Sequence, residues 1–355
     1  MKNKPILSGL TIAEIGEALS TYPPYRARQI YKWIISGASS FDEMSSLPLQ
    51  LRNELTENFR LSPGSVGSEL SDKDGTVKLG INLEDGFAVE AVLLDDGKGR
   101  KTACLSTQAG CPMGCVFCKT GSLGFGRNLS AGEISSQFLK LREREKGISH
   151  IVIMGMGEPL LNLGELRKAL NFLTEKDGLN ISKRRITLST CGLAEGIIDL
   201  ADNGPDIRLA LSLTAAREEL RRKLMPVSRE NPLPLVREAL LYYQKKTGRR
   251  ITLEVVLLGG VNSSDADAGA IAAFNRGIES VINLIPWNPA EDSSGIRLEF
   301  EGKPLSSPAP REIADFTAAL KNRGLKVTQR TGKGGAIRGA CGQLGSVPYA
   351  PRKDN

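Results

Sequence analysis

The most constraining feature of the sequence is a regular alternation of short apolar runs with amphipathic helical stretches between residues 102 and 322. Six apolar runs are typical of buried strands: 102–106, 151–155, 186–190, 207–213, 252–258 and 280–286. The helical stretches that follow them are 130–146, 164–175, 193–203, 216–247 in two pieces, 264–276 and 309–322. Consecutive strand–helix units predict a parallel sheet, either doubly wound or barrel-like, with functional side chains at the carboxyl ends of the strands. The run 326–330 is a candidate last strand.

The first 95 residues have a different pattern, which predicts a small α+β module. Residues 1–60 show the spacing of apolar side chains that is typical of helices. The runs 77–82 and 87–93, separated by Glu84-Asp85-Gly86, predict a β-hairpin. We therefore divide the chain into a helical module at 1–60, a hairpin extension at 61–96, a core at 97–347 and a tail at 348–355.

Composition excludes several classes of protein. The chain has 355 residues and a single histidine, His150, so a Ser-His-Asp or Cys-His hydrolase would have to use that residue. It has no run of about 18 apolar residues, and acidic Glu14 and Glu17 interrupt any signal-peptide core. We therefore expect a cytoplasmic protein with no membrane contact. In that compartment the six cysteines are more readily metal ligands, catalysts or core residues than structural disulfides.

The net charge of +7 is unevenly distributed. Residues 321–341 contain six basic side chains and no acidic one, and Lys183-Arg184-Arg185 forms a second cluster. Arg217 and residues 221–223 form a third. Any one cluster is equally consistent with a solvated surface, but several of them together with a pI near 9.1 favour a polyanionic partner such as nucleic acid.

The segment Cys111-Pro-Met-Gly-Cys115-Val-Phe-Cys118 places three thiols within eight residues, directly after the first predicted strand of the core. Three thiolates can converge on one metal centre. A zinc ion would require a fourth ligand, for which Cys104 is the close candidate. A [4Fe–4S] cluster with three thiolates instead leaves one iron open to a non-protein ligand.

In this strand–helix context the C-x3-C-x2-C spacing resembles that of the radical S-adenosylmethionine (SAM) enzymes. Further segments resemble the RlmN/Cfr family of RNA methyltransferases: 25–34, 41–48, 121–129, 155–162, 222–226, 283–289 and 339–344. The resemblance runs from about residue 10 to residue 347. It implies a partial (β/α)6 radical SAM barrel with a small N-terminal α+β accessory domain. It also implies a [4Fe–4S] cluster held by Cys111, Cys115 and Cys118.

The resemblance implies two further working cysteines. Cys341 would take a methyl group from one SAM molecule, and a second SAM would supply the radical that activates this methyl group, so that two SAM molecules are used per turnover. The activated carbon would add to adenine. Cys104 would then attack the sulfur and form a transient Cys104–Cys341 disulfide. Glu90 matches a family glutamate proposed as proton acceptor. Its alternative interpretation is a solvent-facing strand residue.

The SAM contacts implied by the resemblance are Gly157, Glu158, Ser189, Ser212, Leu213, Thr214 and Asn288. Without the resemblance, these polar residues would be interpreted as capping or turn residues. The sequence departs from the family pattern at three places. Thr214 replaces a histidine, Cys191 replaces a serine, and residues 290–295 replace a more usual Phe-Pro-Gly. The contact at Thr214 is accordingly less well supported, and Cys191 has no assigned role.

The sequence leaves several functions open. The favoured one is methylation of adenosine C2 in 23S ribosomal RNA, with tRNA as a further candidate substrate and flavodoxin as the electron donor implied by the family. Methylation at C8, as in Cfr, would use the same residues. A third is a non-catalytic, zinc-stabilised RNA-binding protein that uses Cys104 with the cysteine triplet. A fourth is a different radical SAM reaction, reached through the altered residue 214. We expect a monomer.

Overall fold

The computed structural model describes residues 4–289, 297–330 and 332–345, so the predicted tail and the segment 290–295 lie outside the described residues. The helices are α1 Ile12–Ala18, α2 Tyr25–Ser36, α3 Leu49–Asn58, α4 Lys119–Ser122, α5 Ala131–Arg144, α6 Leu163–Leu173, α7 Ala194–Asn203, α8 Glu218–Leu224, α9 Leu233–Thr247, α10 Asp265–Asn275 and α11 Pro310–Asn322. The strands are β1 Ser65–Ser71, β2 Val77–Asn82, β3 Ala88–Asp95, β4 Lys101–Cys104, β5 Gln108–Gly110, β6 Phe125–Asn128, β7 Ile148–Ile153, β8 Ile186–Thr190, β9 Arg208–Ser212, β10 Ile251–Leu257, β11 Ser280–Pro286, β12 Glu299–Phe300, β13 Lys303–Pro304 and β14 Val327–Gln329.

A ten-stranded sheet organises the chain, with the strand order β1-β2-β3-β4-β7-β8-β9-β10-β11-β14. Every pairing from β4 onward is parallel, whereas β1 to β4 pair antiparallel with one another. The predicted α/β class with a mostly parallel sheet is confirmed. All six predicted strands of the core are present, and the candidate run 326–330 supplies β14 as a seventh parallel strand.

Side chains of the parallel strands alternate between positions buried in the core and positions that line cavities. In β8, Ile186 and Leu188 are buried, whereas Thr187 and Ser189 line cavities on the other side of the strand. This alternation follows from the two-residue period of a strand. One side of the sheet therefore belongs to the core, and the other can carry polar groups of a site.

The hairpin predicted at 77–82 and 87–93 is present as β2 and β3, but it is not separate from the core. β3 pairs antiparallel with β4, so the predicted boundary at residue 96 falls within one continuous sheet. Strand β1 precedes the hairpin and was not predicted, because most of its side chains are exposed and it has no apolar run. The three boundaries between the four predicted segments stay predictions.

The N-terminal helices share the hydrophobic core of the barrel. Buried Ile30 of α2 belongs to the same cluster of apolar side chains as Ile151 and Leu209 of the sheet. Tyr31 of α2 is fully buried, its ring centroid lies 4.9 Å from that of Phe172, and its hydroxyl donates to the Phe172 carbonyl oxygen at 2.6 Å. This contact joins α2 to the end of α6. No helix in the described part of the chain combines the length and apolar character needed to cross a membrane.

Replacing Tyr31 with alanine tests this contact. We expect Tyr31→Ala to lower the free energy of unfolding by about 3–5 kcal/mol, since a buried aromatic ring and its hydrogen bond are lost together. Tyr25→Ala is the matched control, because Tyr25 lies on the same helix and its side chain is 52% exposed. The control should cost less than about 1 kcal/mol. Urea unfolding followed by circular dichroism measures both, and equal losses would contradict the assigned docking contact.

Candidate active site

The cysteine loop is held at its base by a short strand pair. Strands β5 and β6 pair antiparallel, and the Cys111 amide donates to the Gly124 carbonyl oxygen at 2.8 Å. A Cβ atom on Gly110 would lie 2.0 Å from that same oxygen, and the φ of Gly110 is +76°, so glycine is required at this approach. The sequence pattern predicts neither strand, because they have only three and four residues.

Two distant parts of the chain anchor the loop further along. The Val116 amide donates to the Leu224 carbonyl oxygen at 3.1 Å, and the indole Nε1 of Trp287 donates to the Phe117 carbonyl oxygen at 2.8 Å. Leu224 ends α8 and Trp287 follows β11. The three cysteines are therefore presented by a loop whose backbone is bonded to the barrel on several sides.

A cavity of about 160 Å³ lies beside this loop at the carboxyl ends of the parallel strands. The predicted site residues that line it are Cys111, Cys115, Cys118, Gly157, Glu158, Ser189, Ser212 and Cys341. Leu213 and Thr214 are fully buried and are not among its lining residues. Asn288 and Cys104 instead line a smaller neighbouring cavity, of about 30 Å³.

The three thiols of the loop favour their neutral forms. Burial raises the pKa of Cys111 to about 12 and also raises the pKa values of Cys115 and Cys118. Repulsion between the thiolates acts in the same direction for Cys111 and Cys115. A ligand that binds all three as thiolates must therefore bring positive charge into the cavity, which an iron–sulfur cluster does.

The geometry fits a cluster better than a single metal ion. Among the described residues, no three His, Cys, Asp or Glu side chains are grouped closely enough to hold one ion. Three cysteines spread around one cavity suit a cluster, in which each thiolate binds a different iron. The zinc alternative needs Cys104 beside the triplet, but Cys104 lines the neighbouring cavity with Cys341. The structure therefore does not support the four-cysteine zinc site.

Glu158 is a buried carboxylate at the edge of the cavity. Its Oε2 accepts from the Cys191 amide at 2.8 Å, and its Oε1 accepts from the Leu160 amide at 3.1 Å. Burial raises its pKa despite these hydrogen bonds. Gly157 before it has a φ of +104°, and a Cβ atom there would lie 2.6 Å from the Cβ of Gln108. The glycine is therefore required by contact with β5, independently of any ligand.

Ser189 is the next-to-last residue of β8 and Ser212 is the last residue of β9, and their hydroxyl oxygens lie 3.1 Å apart. The pair forms a polar edge of the cavity at the position that the sequence predicted. Thr214 differs: its φ is +56°, which is unusual for a β-branched residue. Its buried hydroxyl has no hydrogen-bond partner among the described residues, and its carbonyl oxygen accepts from the Nδ2 of Asn262 at 2.9 Å.

Arg221 was interpreted as part of a basic surface cluster, and that interpretation is wrong. Its side chain is fully buried and donates to the carbonyl oxygens of Cys191 at 2.7 Å, Leu213 at 3.2 Å and Ser212 at 3.3 Å. It also bonds the Ser228 hydroxyl. Arg221 thus ties together the backbone at the ends of β8 and β9, behind the serine pair, and its charge opposes the rise in the pKa of Cys115.

Cys104 and Cys341, which are predicted to work together, line one small cavity although they lie near opposite ends of the core. Burial and the neighbouring Cys341 raise the pKa of Cys104 to about 12, and the charge of Arg330 opposes this rise. The Arg330 Nη1 donates to the Cys341 Sγ at 3.5 Å. All six cysteines are free thiols, so the predicted Cys104–Cys341 disulfide is not part of this structure.

Glu90 is fully buried in β3, so the alternative of a solvent-facing glutamate is wrong. Its Oε1 lies 3.0 Å from the Nζ of Lys78, and its Oε2 accepts from the Gly345 amide at 2.6 Å. Lys78 is also buried and donates to the Arg338 carbonyl oxygen at 3.2 Å. The Lys78–Glu90 pair therefore contacts the backbone on both sides of Cys341.

Two family models match the chain. The radical SAM superfamily model covers residues 105–268, and the model of the ribosomal RNA large subunit methyltransferase N-terminal domain covers residues 12–61. The parallel sheet and the cysteine loop thus define a radical SAM enzyme.

Several relatives match over nearly the full length. The probable dual-specificity RNA methyltransferase RlmN of Treponema denticola is 47% identical, with 98% of this chain and 97% of that protein covered. Its namesake in Thermus thermophilus is 41% identical, with 96% and 93% covered. The crystal structure of a radical SAM methyltransferase from Sphaerobacter thermophilus is 39% identical, with a TM-score of 0.89 over 97% of this chain and all of that one. The chain belongs to the RlmN family of radical SAM RNA methyltransferases, whose cofactors are a [4Fe–4S] cluster and SAM.

The buried Lys78–Glu90 pair leads to a prediction about stability. We expect Lys78→Met to lower the free energy of unfolding by about 3–5 kcal/mol, because the ammonium group beside a buried carboxylate is removed. The double variant Lys78→Met/Glu90→Gln should recover most of this loss, since it removes the charge of both partners. Urea unfolding of the single and double variants measures both effects.

The control for this prediction is Lys246→Met. Lys246 pairs with Asp202 at 3.1 Å, but its side chain is 51% exposed. Its loss should cost much less stability than the loss of Lys78, because an exposed ion pair contributes little. If Lys78→Met costs no more than Lys246→Met, the pair does not stabilise the segment that carries Cys341.

Proposed function

We propose that this protein methylates C2 of an adenosine in 23S ribosomal RNA, and of an adenosine in tRNA, through a methyl group carried on Cys341. One observation supports this assignment above the others. Cys341 lines both the cavity of the cysteine triplet and the smaller cavity of Cys104. One residue therefore borders both the cofactor cavity and the cavity of the thiol that would release the product.

The cofactor cavity has a donor set that suits its two proposed occupants. Cys111, Cys115 and Cys118 would hold the cluster, which, when bound, would supply the one-electron chemistry that cleaves SAM to a 5′-deoxyadenosyl radical and later accepts an electron. SAM would contact Gly157, Glu158, Ser189 and Ser212 in this cavity and Asn288 in the neighbouring one. Leu213 and Thr214 do not line the cavity, so the SAM contacts implied at these two residues stay predictions.

The first proposed role of Cys341 is nucleophilic. Its thiolate would attack the methyl carbon of one SAM. A carbon–sulfur bond forms, and S-adenosylhomocysteine is released as the leaving group. The Arg330 guanidinium at 3.5 Å is a cation placed to stabilise that thiolate. A hydrogen atom is then removed from the S-methyl group with the help of the second SAM, and the carbon adds to C2 of adenine. The RNA is now linked covalently to Cys341.

Completion of the reaction requires a base and a second thiol. The adduct loses one electron and the C2 proton, and we assign Glu90 as the proton acceptor because its carboxylate contacts the Cys341 segment at Gly345. The Cys104 thiolate then bonds to the Cys341 sulfur. The sulfur–carbon bond breaks with its electron pair on carbon, which takes up a proton to become the methyl group. The resulting disulfide is reduced by an external thiol before the next turnover.

The remaining assignments rest on the family alone. We propose that the enzyme acts as a monomer in the cytoplasm and that a flavodoxin supplies the electron. Methylation at C8 would use the same cysteines, so only the product distinguishes the two positions.

The covalent adduct supplies a direct test of the two cysteines. We expect Cys104→Ala to accumulate protein linked to RNA, because the sulfur–carbon bond can no longer be broken by Cys104. Cys341→Ala should form neither adduct nor product. Denaturing electrophoresis after incubation with SAM, reductant and 23S RNA, followed by nuclease digestion and mass spectrometry, detects the link. The control is the double variant Cys104→Ala/Cys341→Ala, which should show no adduct. Methylation by Cys341→Ala would contradict the mechanism.

The position of methylation is tested on the product. We expect digests of 23S RNA and tRNA treated with the enzyme to contain 2-methyladenosine, separated by chromatography from an 8-methyladenosine standard and identified by mass. The control is RNA treated with Cys341→Ala. A product consisting only of 8-methyladenosine would contradict the C2 assignment while leaving the cysteine roles intact.

A further inference from the structure

Five neighbouring strands carry a basic or imidazole side chain at or near their amino ends. Arg100 directly precedes β4, His150 lies in β7, Arg185 directly precedes β8, Arg208 is the first residue of β9, and Arg250 directly precedes β10. These strands are adjacent and parallel in the sheet, so their amino ends lie along one edge. We call this set of five residues the basic mouth.

The basic mouth borders an open cavity of about 600 Å³, a volume within the range of about 300–1,000 Å³ that is usual for ligand clefts. All five residues of the mouth line it. Met154, Glu254 and Arg330 line both this cavity and the one that holds the cysteine triplet and Cys341. The cavity therefore leads from the amino ends of the strands toward the sulfur that carries the methyl group.

Much of the positive charge at the mouth is not neutralised within the protein. Arg185, Arg208 and Arg250 are exposed and form no ion pair among the described residues. The next arginine along, Arg249, differs, since its Nη2 lies 2.6 Å from the carboxylate of Asp206. Six basic and three acidic side chains line the cavity, and two of the acids, Asp95 and Asp96, are paired with Lys101 and Arg100.

The charges of several of these arginines affect the pKa of His150. Burial, together with the charges of Arg100, Arg185 and Arg208, lowers its pKa. Three guanidinium groups from three different strands therefore act on one imidazole. A polyanion that entered between them would meet several cations at once.

We propose that the basic mouth binds the phosphate backbone of the RNA substrate and admits the target adenosine to Cys341 from the amino ends of the strands. This inference rests on the proposed function and names the surface through which the RNA reaches the site. Guanidinium groups match phosphate geometry and stay charged at neutral pH. An adenosine must leave its stack to reach an enclosed site, and the flanking phosphates then lie at the entrance. The carboxyl ends of the strands are occupied by the cysteine loop, which leaves this end for RNA.

Salt dependence of RNA binding tests the proposal. The holoenzyme of the triple variant Arg185→Gln/Arg208→Gln/Arg250→Gln is compared with wild type for binding of in vitro transcribed 23S RNA over a range of salt concentrations. Each phosphate contact contributes about 0.7–0.9 to the slope of log K against log salt. The slope should therefore become shallower by about 2 when three contacts are lost, and the affinity at low salt should fall.

The matched control removes the same charge elsewhere. Arg229, Lys303 and Arg311 are exposed and do not line the cavity, so Arg229→Gln/Lys303→Gln/Arg311→Gln should keep the wild-type slope. If both triple variants change the slope equally, binding follows net charge and the proposal is overturned. An unchanged slope in the mouth variant overturns it as well.

A second measurement separates this proposal from the proposed function. In the proposed mechanism SAM methylates Cys341 before RNA takes part. The mouth variant should therefore gain the mass of one methyl group as wild type does, yet bind RNA more weakly. If wild type never gains this mass while the mouth variant still shows the shallower slope, the proposed function fails and the basic mouth stands.

The single histidine supplies a local probe. In a tag-free protein with labelled histidine, the His150 imidazole resonance should shift when a short oligoadenylate is added to wild type or to Cys341→Ala. It should not shift in the triple mouth variant. Absence of a shift in wild type at a saturating concentration of the oligonucleotide would overturn the proposal.

Discussion

The site depends on the curvature of one parallel sheet, which brings its two ends together around shared cavities. β4 and β14 are separated by five strands in the sheet, yet Cys104 of β4 and Arg330, directly after β14, line the same small cavity. A flat sheet would hold these residues several strand spacings apart, at about 4.8 Å per strand. Because the sheet curves, the thiol from its first parallel strand meets the segment that follows its last.

Buried charged side chains bond to the backbone around the site. Arg221 bonds three carbonyl oxygens at the ends of β8 and β9, and Lys78 with Glu90 bonds the backbone on either side of Cys341. In both cases a buried charged side chain bonds to backbone at or beyond the end of a regular element. Arg330 has a different position, between Cys341 and Glu254, and the charge of Cys341 is the main cause of its raised pKa. It is therefore the cation best placed to respond when Cys341 changes between thiolate and thioether.

The periodic parts of the fold could be predicted from the sequence, because buried strands and amphipathic helices repeat with known periods. The cysteine triplet could be predicted because its three members are contiguous. The burial of Arg221 could not be predicted, because residues 221–223 form one basic run in the sequence. A helix turns successive side chains by about 100°, and in α8 only Arg221 of these three faces inward. Glu90 could not be placed either, because every residue from Ala88 to Leu93 is buried and alternation gives no inner or outer side. The resemblance to a family drew attention to Glu90, but its ion pair with Lys78 is visible only in the structure.

The two ends of the barrel carry side chains of different chemistry, buried thiols at one end and exposed arginines at the other. At the carboxyl ends, buried thiols of raised pKa require a cationic centre before they can ionise. At the amino ends, exposed arginines without ion pairs among the described residues attract anions. A negatively charged RNA backbone placed beside the thiols would add to the repulsion that already disfavours their ionised forms. Entry from the amino ends keeps phosphate charge away from the cysteine loop while a neutral base reaches Cys341. In this arrangement only the adenine ring has to enter the interior of the barrel. Burying a charged group there would cost free energy, whereas the ring is uncharged.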